Sequence, residues 1–315
     1  MLKELRIAYA DFWDGFDPLD NFFQKILSTR YTLILSDNPD VLFFSVAGNE
    51  NKKFNRCVKI FFSGENVRPD FSLCDYAISS DFIDSDRYYR WPLYNLYGID
   101  IPEIDNSKRT KFCCMVVSND RCTYRNLFFE RLSKINHVDS GGKYKNNVGG
   151  PVNDKNEFLK EYKFTLAFEN SSYPGYTTEK ILQAKKAGCI PIYWGNPLVA
   201  KDFNPESFIN IQDFSNWKDA ISYICQVNDN PVLFNRYQQA PLFINKTYIN
   251  VTELIEWLVK RIPIKTDRYP ITIVTPKPSF DIKWFFRYLT SDFINIITRK
   301  TGLKRALRNI IYKAY

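Results

Sequence analysis

The sequence predicts an α/β protein with two domains, each built on a parallel β-sheet. Three observations support this prediction. Apolar strand-like runs alternate with helical segments over the first hundred residues, which is typical of doubly wound sheets. Residues 164–195 follow the order strand, polar loop, helix, glycine, strand, which predicts a βαβ unit. A polar break at residues 102–109 divides a chain of 315 residues, which is long enough for two cores.

The composition indicates a globular protein, because 45% of the residues are hydrophobic and 17% are aromatic. The seven cysteines include no CxxC pair, and His137 is the only histidine in the sequence. We therefore expect reduced thiols in a cytoplasmic protein, without a zinc site. No apolar run is long enough to span a bilayer, and the start lacks a secretory apolar region. The net charge of +8 suits a nucleic acid, a lipid surface or an anionic substrate.

The first predicted domain covers residues 1–105. A strand at residues 6–9 leads into a polar and aromatic loop that contains Asp11 and Trp13. Loops at the carboxyl ends of strands carry ligand sites in open α/β sheets, so we interpret Asp11 and Trp13 as candidate ligand-binding residues. The alternative is a turn whose aromatic rings only pack. The elements expected next are a helix at 19–28 and strands at 31–35, 41–46 and 57–62.

Glu65 follows the fourth strand in the turn Ser63-Gly64-Glu65-Asn66. The glycine permits an unusual backbone turn that leaves the carboxylate at the edge of the sheet. On the residues alone, a loop carboxylate that caps the next segment is the alternative interpretation.

A D-x-D pattern, which can hold a divalent metal ion, occurs at residues 84–86. We predict a structural turn there, because Asp and Ser are common turn residues.

The second predicted domain covers residues 106–262. A strand at 111–117 precedes an amphipathic helix with Arg125 in its first turn. A cation there opposes the helix dipole, so Arg125 is either a solvated surface residue or a group directed at an anion. The elements expected before the βαβ unit are a strand at 135–138, a glycine-rich turn at 139–143 and a helix at 153–162.

The βαβ unit offers a candidate phosphate site. Thr177 or Thr178 is expected to cap its helix and Gly188 to end it. The unpaired N–H groups and the positive dipole at a helix start suit a phosphate, and Lys180 adds a full charge. The loop matches neither a Walker sequence nor GxGxxG, so a P-loop is not supported. An ordinary core unit with a polar turn is the alternative.

The chain also carries Phe168-Glu169-Asn170, then Gly175-Tyr176-Thr177-Thr178-Glu179-Lys180, then Ile190-Pro191-Ile192-Tyr193-Trp194-Gly195. These ordered motifs resemble those of the α-1,3-fucosyltransferases of glycosyltransferase family 10, in particular the bacterial members. The resemblance reaches back to the Gly64-Glu65-Asn66 turn and forward to about residue 260. It implies a GT-B fold, with two Rossmann-like domains facing across a cleft, and GDP-fucose as the donor.

The resemblance also implies roles for individual residues. Glu65 is expected to be the general base that takes the proton of the acceptor hydroxyl, with Glu169 as its rival. Arg125, Lys180 and the helix start are expected to stabilise the diphosphate without a required metal, and a divalent cation would at most stimulate the reaction. Glu179 would bind hydroxyls of ribose or fucose, and Asp11 and Trp13 would bind the acceptor. The predicted donor-binding residues are Arg125, Asn170, Tyr176, Thr177, Thr178, Glu179 and Lys180.

The predicted reaction is inverting transfer of L-fucose from GDP-fucose to the 3-hydroxyl of GlcNAc. The resemblance implies an N-acetyllactosamine-type acceptor on surface polysaccharide or lipopolysaccharide, giving a Lewis antigen. The alternatives are a related glycosyltransferase with another donor or acceptor and a basic nucleic-acid-binding module. The module is disfavoured because the aromatic residues follow core periodicity, so no nucleic-acid partner is expected.

Residues 263–315 begin with a proline-containing linker and continue with apolar residues at helical spacing, interleaved with Lys and Arg. This pattern predicts a basic amphipathic helical tail that attaches the protein peripherally to the anionic inner face of the membrane. Packing of the tail against its own protein or a partner is the alternative.

Overall fold

The first hundred residues form a six-stranded sheet in which every strand pair is parallel. The computed structural model describes residues 2–103, 109–244 and 250–262. The strands of this sheet are β1 (Lys3–Ala10), β2 (Tyr31–Leu35), β3 (Val41–Phe44), β4 (Val58–Phe62), β5 (Tyr76–Ser79) and β6 (Tyr88–Arg90). Their order across the sheet is β2-β1-β3-β4-β5-β6. The parallel sheet predicted for this part of the chain is therefore confirmed, and β5 and β6 are additional to the predicted strands.

The second sheet has five parallel strands: β7 (Lys111–Met115), β8 (Val138–Ser140), β9 (Tyr162–Phe168), β10 (Ile190–Trp194) and β11 (Ile209–Asn210). Their order is β11-β10-β9-β7-β8. The described α-helices of the chain are α1 (Phe22–Leu27), α2 (Thr123–Leu132), α3 (Lys155–Leu159), α4 (Lys180–Lys186), α5 (Trp217–Asp229), α6 (Pro231–Gln239) and α7 (Val251–Arg261). The βαβ unit predicted at residues 164–195 corresponds to β9, α4 and β10.

The central strands of both sheets are buried on both faces, which explains why they are apolar runs without polar alternation. In the first sheet, all four residues of β3 are buried. In the second sheet, one face of β9 contributes Phe164, Leu166 and Phe168 to a core with α2 and α5. A separate apolar cluster contains Tyr162 of β9 and Ala184 of α4. Gly188 ends α4 with a φ of +81°, so the predicted glycine stop is confirmed.

The described residues divide into two compact units, residues 2–96 with 250–262, and residues 97–244. The sequence placed the boundary at residue 105 and assigned residues 106–262, which include α7, to the second domain. The structure instead places α7 in the first unit. Leu254 and Leu258 are fully buried in the core that contains Ile7 of β1 and Leu27 of α1. The apolar face of an amphipathic helix shows that it packs, but not which sheet it packs on.

The predicted basic tail at residues 263–315 lies outside the described residues. Among the described helices, none combines the length and the apolar character that crossing a bilayer requires.

Candidate active site

The strand order places a ligand site in the second unit. β7 lies between β8 and β9, so the chain leaves β7 towards one side of the sheet and later returns to the other. In open α/β sheets, ligands bind outside the carboxyl ends of the strands at such a switch point. A cavity of about 260 Å³ lies there. Its lining includes Val117, Ser118, Asn119, Arg125, Lys155, Ala167, Asn170, Glu179 and Lys180.

Arg125 is fully buried in the first turn of α2, as the sequence predicted for its position in the helix. Its Nη1 donates to Oδ1 of Asn170 at 2.9 Å, and its Nη2 donates to the carbonyl oxygen of Asn119 at 2.5 Å. Both partners are neutral. A buried guanidinium held by neutral oxygens at a cavity is prepared to receive an anion, which excludes the interpretation of Arg125 as a solvated surface residue.

Lys180 begins α4 and pairs with Glu169, which directly follows β9. Its Nζ lies 2.9 Å from Oε2 of Glu169 and 3.6 Å from Oε1 of Glu179. Burial alone would lower the pKa of Lys180, but the charges of Glu169 and Glu179 raise it above its ordinary value. The ammonium group therefore stays charged at the wall of the cavity.

Glu169 is fully buried and accepts three hydrogen bonds. The donors are the backbone N–H of Thr178 at 2.8 Å, the Thr178 hydroxyl at 2.7 Å and Nζ of Lys180. A Cβ atom at Gly195 would lie 2.4 Å from Cγ of Glu169, so this close approach requires glycine. A carboxylate enclosed in this way is not placed to reach an acceptor hydroxyl. The structure thus argues against Glu169 as the rival base and gives it an organising role.

The helix start differs from the prediction. The cap position of α4 is Glu179, whose side chain makes no capping bond, so the predicted threonine cap is wrong. The Thr177 hydroxyl donates to Oδ2 of Asp202 instead, and the backbone N–H and the hydroxyl of Thr178 both donate to Glu169. Longer-range partners therefore compete successfully with local capping. The N–H of Thr178 is occupied and cannot serve a phosphate in this conformation.

The predicted donor residues consequently fall into two groups. Arg125, Asn170, Glu179 and Lys180 line the cavity together. Tyr176, Thr177 and Thr178 are buried, and the described lining of the cavity does not include them. The buried amide of Asn196 supports this loop, since its Nδ2 donates to the Thr177 hydroxyl at 2.8 Å and its Oδ1 accepts from the N–H of Gly175. These three loop residues therefore hold the loop in place and do not line the cavity themselves.

Two charged side chains of the cavity influence each other. Burial alone would raise the pKa of Glu179, but Lys180 and Lys155 lower it below its ordinary value. Burial lowers the pKa of Lys155, and the charge of Glu179 opposes that shift. Glu179 therefore provides a carboxylate that can accept hydrogen bonds from hydroxyl groups.

Sequence reasoning missed Lys155, Ser118 and Asn119 as parts of the cavity. Ser118 and Asn119 follow β7, so the rule that ligand sites lie at carboxyl strand ends could have identified them. Lys155 had no such signal, because it begins a short helix before β9 and matches no motif.

Glu65 is an exposed residue in the loop that follows β4, at the carboxyl edge of the first sheet. Its backbone N–H donates to the Ser63 hydroxyl at 3.1 Å, and its carbonyl oxygen accepts from the N–H of Val67 at 2.8 Å. Nearby, Arg68 donates to Oδ1 of Asn66 and lies 2.7 Å from the buried carboxylate of Asp81. Hydrogen bonds within the turn and the ion pair of Arg68 with Asp81 therefore hold the backbone of the turn in place. A catalytic base requires such a fixed position.

The aromatic loop after β1 borders a second cavity, of about 330 Å³. The Trp13 side chain is 53% exposed, and Phe12 and Phe16 contact it edge-on with ring centroids 5.5 Å away. Trp13 therefore presents a supported aromatic face to solvent. The cavity is lined by Phe12, Trp13, Gly15, Phe16, Asp17, Asp20, Asn21, Phe22, Phe23, Lys25, Phe62 and Leu96.

Asp11 has a structural role that the sequence did not indicate. Its Oδ1 accepts the N–H of Glu50 at 2.7 Å, and its Oδ2 accepts the N–H and the Nδ2 of Asn51 at 2.9 and 2.6 Å. The carboxylate therefore joins the loop after β3 to the loop after β1 through hydrogen bonds. This geometry does not support the predicted contact of Asp11 with the acceptor.

The D-x-D at residues 84–86 forms a turn closed by the bond from the N–H of Tyr88 to the carbonyl oxygen of Ser85 at 3.1 Å, as predicted.

All seven cysteines are free. Among the described residues, no group of three or more His, Cys, Asp or Glu side chains is arranged to hold a metal ion.

Known families and proteins show similarity to both halves of the chain. A family model described as the alpha-(1,3)-fucosyltransferase FucT N-terminal domain matches residues 7–97. A second model, described as the C-terminal part of glycosyltransferase family 10 (fucosyltransferase), matches residues 106–259. The chain is 39% identical over 271 residues to the alpha-(1,3)-fucosyltransferase FucT of Helicobacter pylori. That match covers 70% of this chain and 56% of the H. pylori protein, so the chain spans little more than half the length of this relative.

Solved structures extend the comparison. A crystal structure of an α1,3-fucosyltransferase with GDP-fucose matches with a TM-score of 0.73 and 32% identity, covering 85% of this chain and 93% of the other. A structure of an α1,3-fucosyltransferase with GDP matches with a TM-score of 0.74, 32% identity and coverages of 85% and 92%. With matches to both halves of the chain and to nearly the whole of a solved relative, the chain belongs to glycosyltransferase family 10, the fucosyltransferase family.

Proposed function

We propose that the chain transfers L-fucose from GDP-fucose to an acceptor hydroxyl, with inversion and with an α-1,3 linkage. The observation that carries this proposal is the cavity at the β7–β9 switch point, where Arg125 and Lys180 are both held at the wall. GDP-fucose carries a diphosphate, which is the chemical group that two fixed cations bind. The fucosyltransferase relatives support the choice of donor.

The reaction requires charge stabilisation on the leaving group. As the acceptor oxygen attacks C1 of fucose, the bond from C1 to the diphosphate oxygen breaks and its electron pair leaves with GDP. Arg125 and Lys180 stabilise the negative charge that develops there. Because both charges are already fixed by Asn170 and Glu169, little reorganisation is needed. The proposal therefore requires no metal cofactor, although a divalent cation can stimulate the reaction.

The acceptor side of the reaction requires a base. We assign Glu65, whose exposed carboxylate side chain lies at the carboxyl edge of the first sheet, to remove the proton from the attacking hydroxyl. Trp13, at the same sheet edge, offers its exposed ring to a sugar face of the acceptor. Glu179 binds hydroxyls of the ribose or of fucose. An N-acetyllactosamine-type acceptor, a surface polysaccharide or lipopolysaccharide product carrying a Lewis antigen, and the GT-B arrangement stay predictions.

The test is a transfer assay with the purified chain. GDP-fucose and a panel of N-acetyllactosamine, its Gal-β1,3-GlcNAc isomer and lactose are incubated with and without EDTA, and products are identified by mass spectrometry and linkage analysis. The expected result is a monofucosylated N-acetyllactosamine that persists in EDTA. Transfer from GDP-mannose or UDP-galactose but not from GDP-fucose would reject the donor. Loss of product in EDTA would reject the metal-independent mechanism.

Peripheral attachment to the inner face of the membrane through residues 263–315 also stays a prediction, because the tail lies outside the described residues. Binding of the full chain to vesicles of anionic phospholipid, compared with neutral vesicles, tests it.

A further inference from the structure

Lys155 lines the same cavity as Arg125 and Lys180, although it belongs to none of the motifs that predicted the site. It begins α3, the short helix that precedes β9. Its Nζ donates to Oε1 of Gln183 in α4 at 2.6 Å, which fixes the position of the ammonium group between the two helices. The cavity therefore has a cation on each of three helices, α2, α3 and α4.

The three cations differ in how their charges are balanced. Lys180 has the Glu169 carboxylate at 2.9 Å and the Glu179 carboxylate at 3.6 Å. The bond of Lys155 ends on a neutral amide oxygen, and no ion pair is found for it among the residues that the structure describes. Arg125 likewise donates to neutral oxygens. Two of the three cations thus lack a direct carboxylate partner, and both line the space that a ligand would fill.

We propose that Lys155 is a further donor-binding residue, whose ammonium group binds an oxygen of the diphosphate of the nucleotide sugar. The inference rests on the proposed function and deepens it. A half-buried ammonium without a direct carboxylate partner is costly, and a phosphate oxygen supplies both a charge and a strong acceptor at contact distance. Burial lowers the pKa of Lys155 although the charge of Glu179 opposes that shift, so the cost of burial is not fully offset within the chain. Gln183 holds the ammonium group in place at the wall of the cavity.

The experiment measures binding of GDP and of inorganic pyrophosphate to the full chain by isothermal titration calorimetry. Lys155→Gln should weaken both ligands by at least about tenfold, because a charge-assisted hydrogen bond is lost. Lys160→Gln is the matched control, since Lys160 caps the other end of the same helix and pairs with Glu157 on the surface. This variant should bind both ligands as the wild type does. Circular dichroism confirms that each variant is folded.

A second variant separates ligand binding from a purely structural role. Gln183→Met removes the acceptor of the bond between α3 and α4 but keeps the ammonium group, so GDP binding should be retained. Equal losses in Lys155→Gln and Gln183→Met would mean that Lys155 only joins the two helices, and would overturn the inference. So would wild-type affinity in Lys155→Gln. Absence of GDP binding by the wild-type chain is a different result, because it would overturn the proposed function itself.

Discussion

The ammonium group of Lys180 lies 2.9 Å from Oε2 of Glu169, a carboxylate with no exposure to solvent. This pair joins the end of β9 to the start of α4, and Glu169 also binds the N–H and the hydroxyl of Thr178. The carboxylate therefore neutralises the lysine, orders the loop and occupies a donor at the helix entrance. Glu169, which the sequence offered as the rival general base, thus has a structural role in this geometry.

The ion pair of Lys180 and Glu169 predicts that removing one of its charges lowers the free energy of unfolding substantially. Glu169→Gln keeps the shape of the side chain but leaves the buried Lys180 without its nearest counter-charge. Breaking one partner of a buried ion pair should lower the free energy of unfolding by about 3 kcal/mol. Urea unfolding followed by circular dichroism measures it. Glu157→Gln, which removes a surface pair with Lys160, should change the value by less than about 0.5 kcal/mol. Equal effects of the two substitutions would contradict the organising role of Glu169.

The geometry of Arg125 predicts that a positive charge alone at this position is not sufficient for full affinity for GDP. Its guanidinium reaches both Asn170 and the carbonyl oxygen of Asn119, and a lysine ammonium is too compact to keep both contacts. Arg125→Lys should therefore weaken GDP binding by about tenfold, measured by calorimetry. Arg121→Lys, at an exposed position just before the same helix, serves as the control and should leave the affinity unchanged. Full affinity in Arg125→Lys would show that the position needs only a positive charge.

The proposed base predicts a separation between catalysis and donor binding. Glu65→Gln should reduce kcat by about 100-fold or more, because an amide cannot accept the acceptor proton. The affinity for GDP should persist. Glu4→Gln, at an exposed position in β1 of the same unit, is expected to be fully active. Initial rates at saturating GDP-fucose, together with calorimetry, give the two quantities. Transfer at the wild-type rate by the Glu65 variant would remove it from the mechanism.

The exposed ring of Trp13 predicts an effect on the acceptor alone. Trp13→Ala should raise the KM for the acceptor by about tenfold, since an aromatic ring that stacks on a ligand contributes on the order of 1–2 kcal/mol. The KM for GDP-fucose should not change. Leu19→Ala removes another exposed apolar side chain of the same unit, one that does not line the second cavity, and should affect neither constant. A rise in the KM for the donor instead would place Trp13 elsewhere in the mechanism.

Lys185 predicts a pH-dependent contribution to stability outside the site. Its buried Nζ donates to the carbonyl oxygens of Tyr237 and Gln238 at 3.0 and 2.9 Å, and burial lowers its pKa from 10.5 to about 8. Between these two values the unfolded chain binds more protons than the folded chain. The unfavourable contribution of Lys185 is therefore fully present below pH 8 and is relieved as the pH rises towards 10.5.

The variant Lys185→Met separates the contribution of Lys185 to the free energy of unfolding from that of other titrating groups. Between pH 7 and pH 9.5, the free energy of unfolding of the wild type should rise by about 2 kcal/mol relative to the variant. Urea unfolding at both pH values measures the difference. A constant difference between the two proteins would show that the lysine keeps its ordinary pKa in the folded state.

Much of the second unit could be predicted from sequence, because the features involved are local. The apolar runs of β9 and β10, the glycine after α4 and the first-turn position of Arg125 depend on residues close together in the chain. Helix periodicity and glycine stops are properties of short segments. The quoted motifs also identified three side chains that line one cavity, those of Asn170, Glu179 and Lys180.

Tertiary structure alone decided the remaining points. The burial of Glu169 depends on the close approach of Gly195, and the place of Lys155 depends on a contact with Gln183. The packing of α7 on the first unit likewise joins residues more than two hundred positions apart. The sequence by itself determined the βαβ unit, four strands of the first sheet and the resemblance to a family. Packing decided which polar groups face each other, because a buried charge selects its partner by proximity in space rather than along the chain.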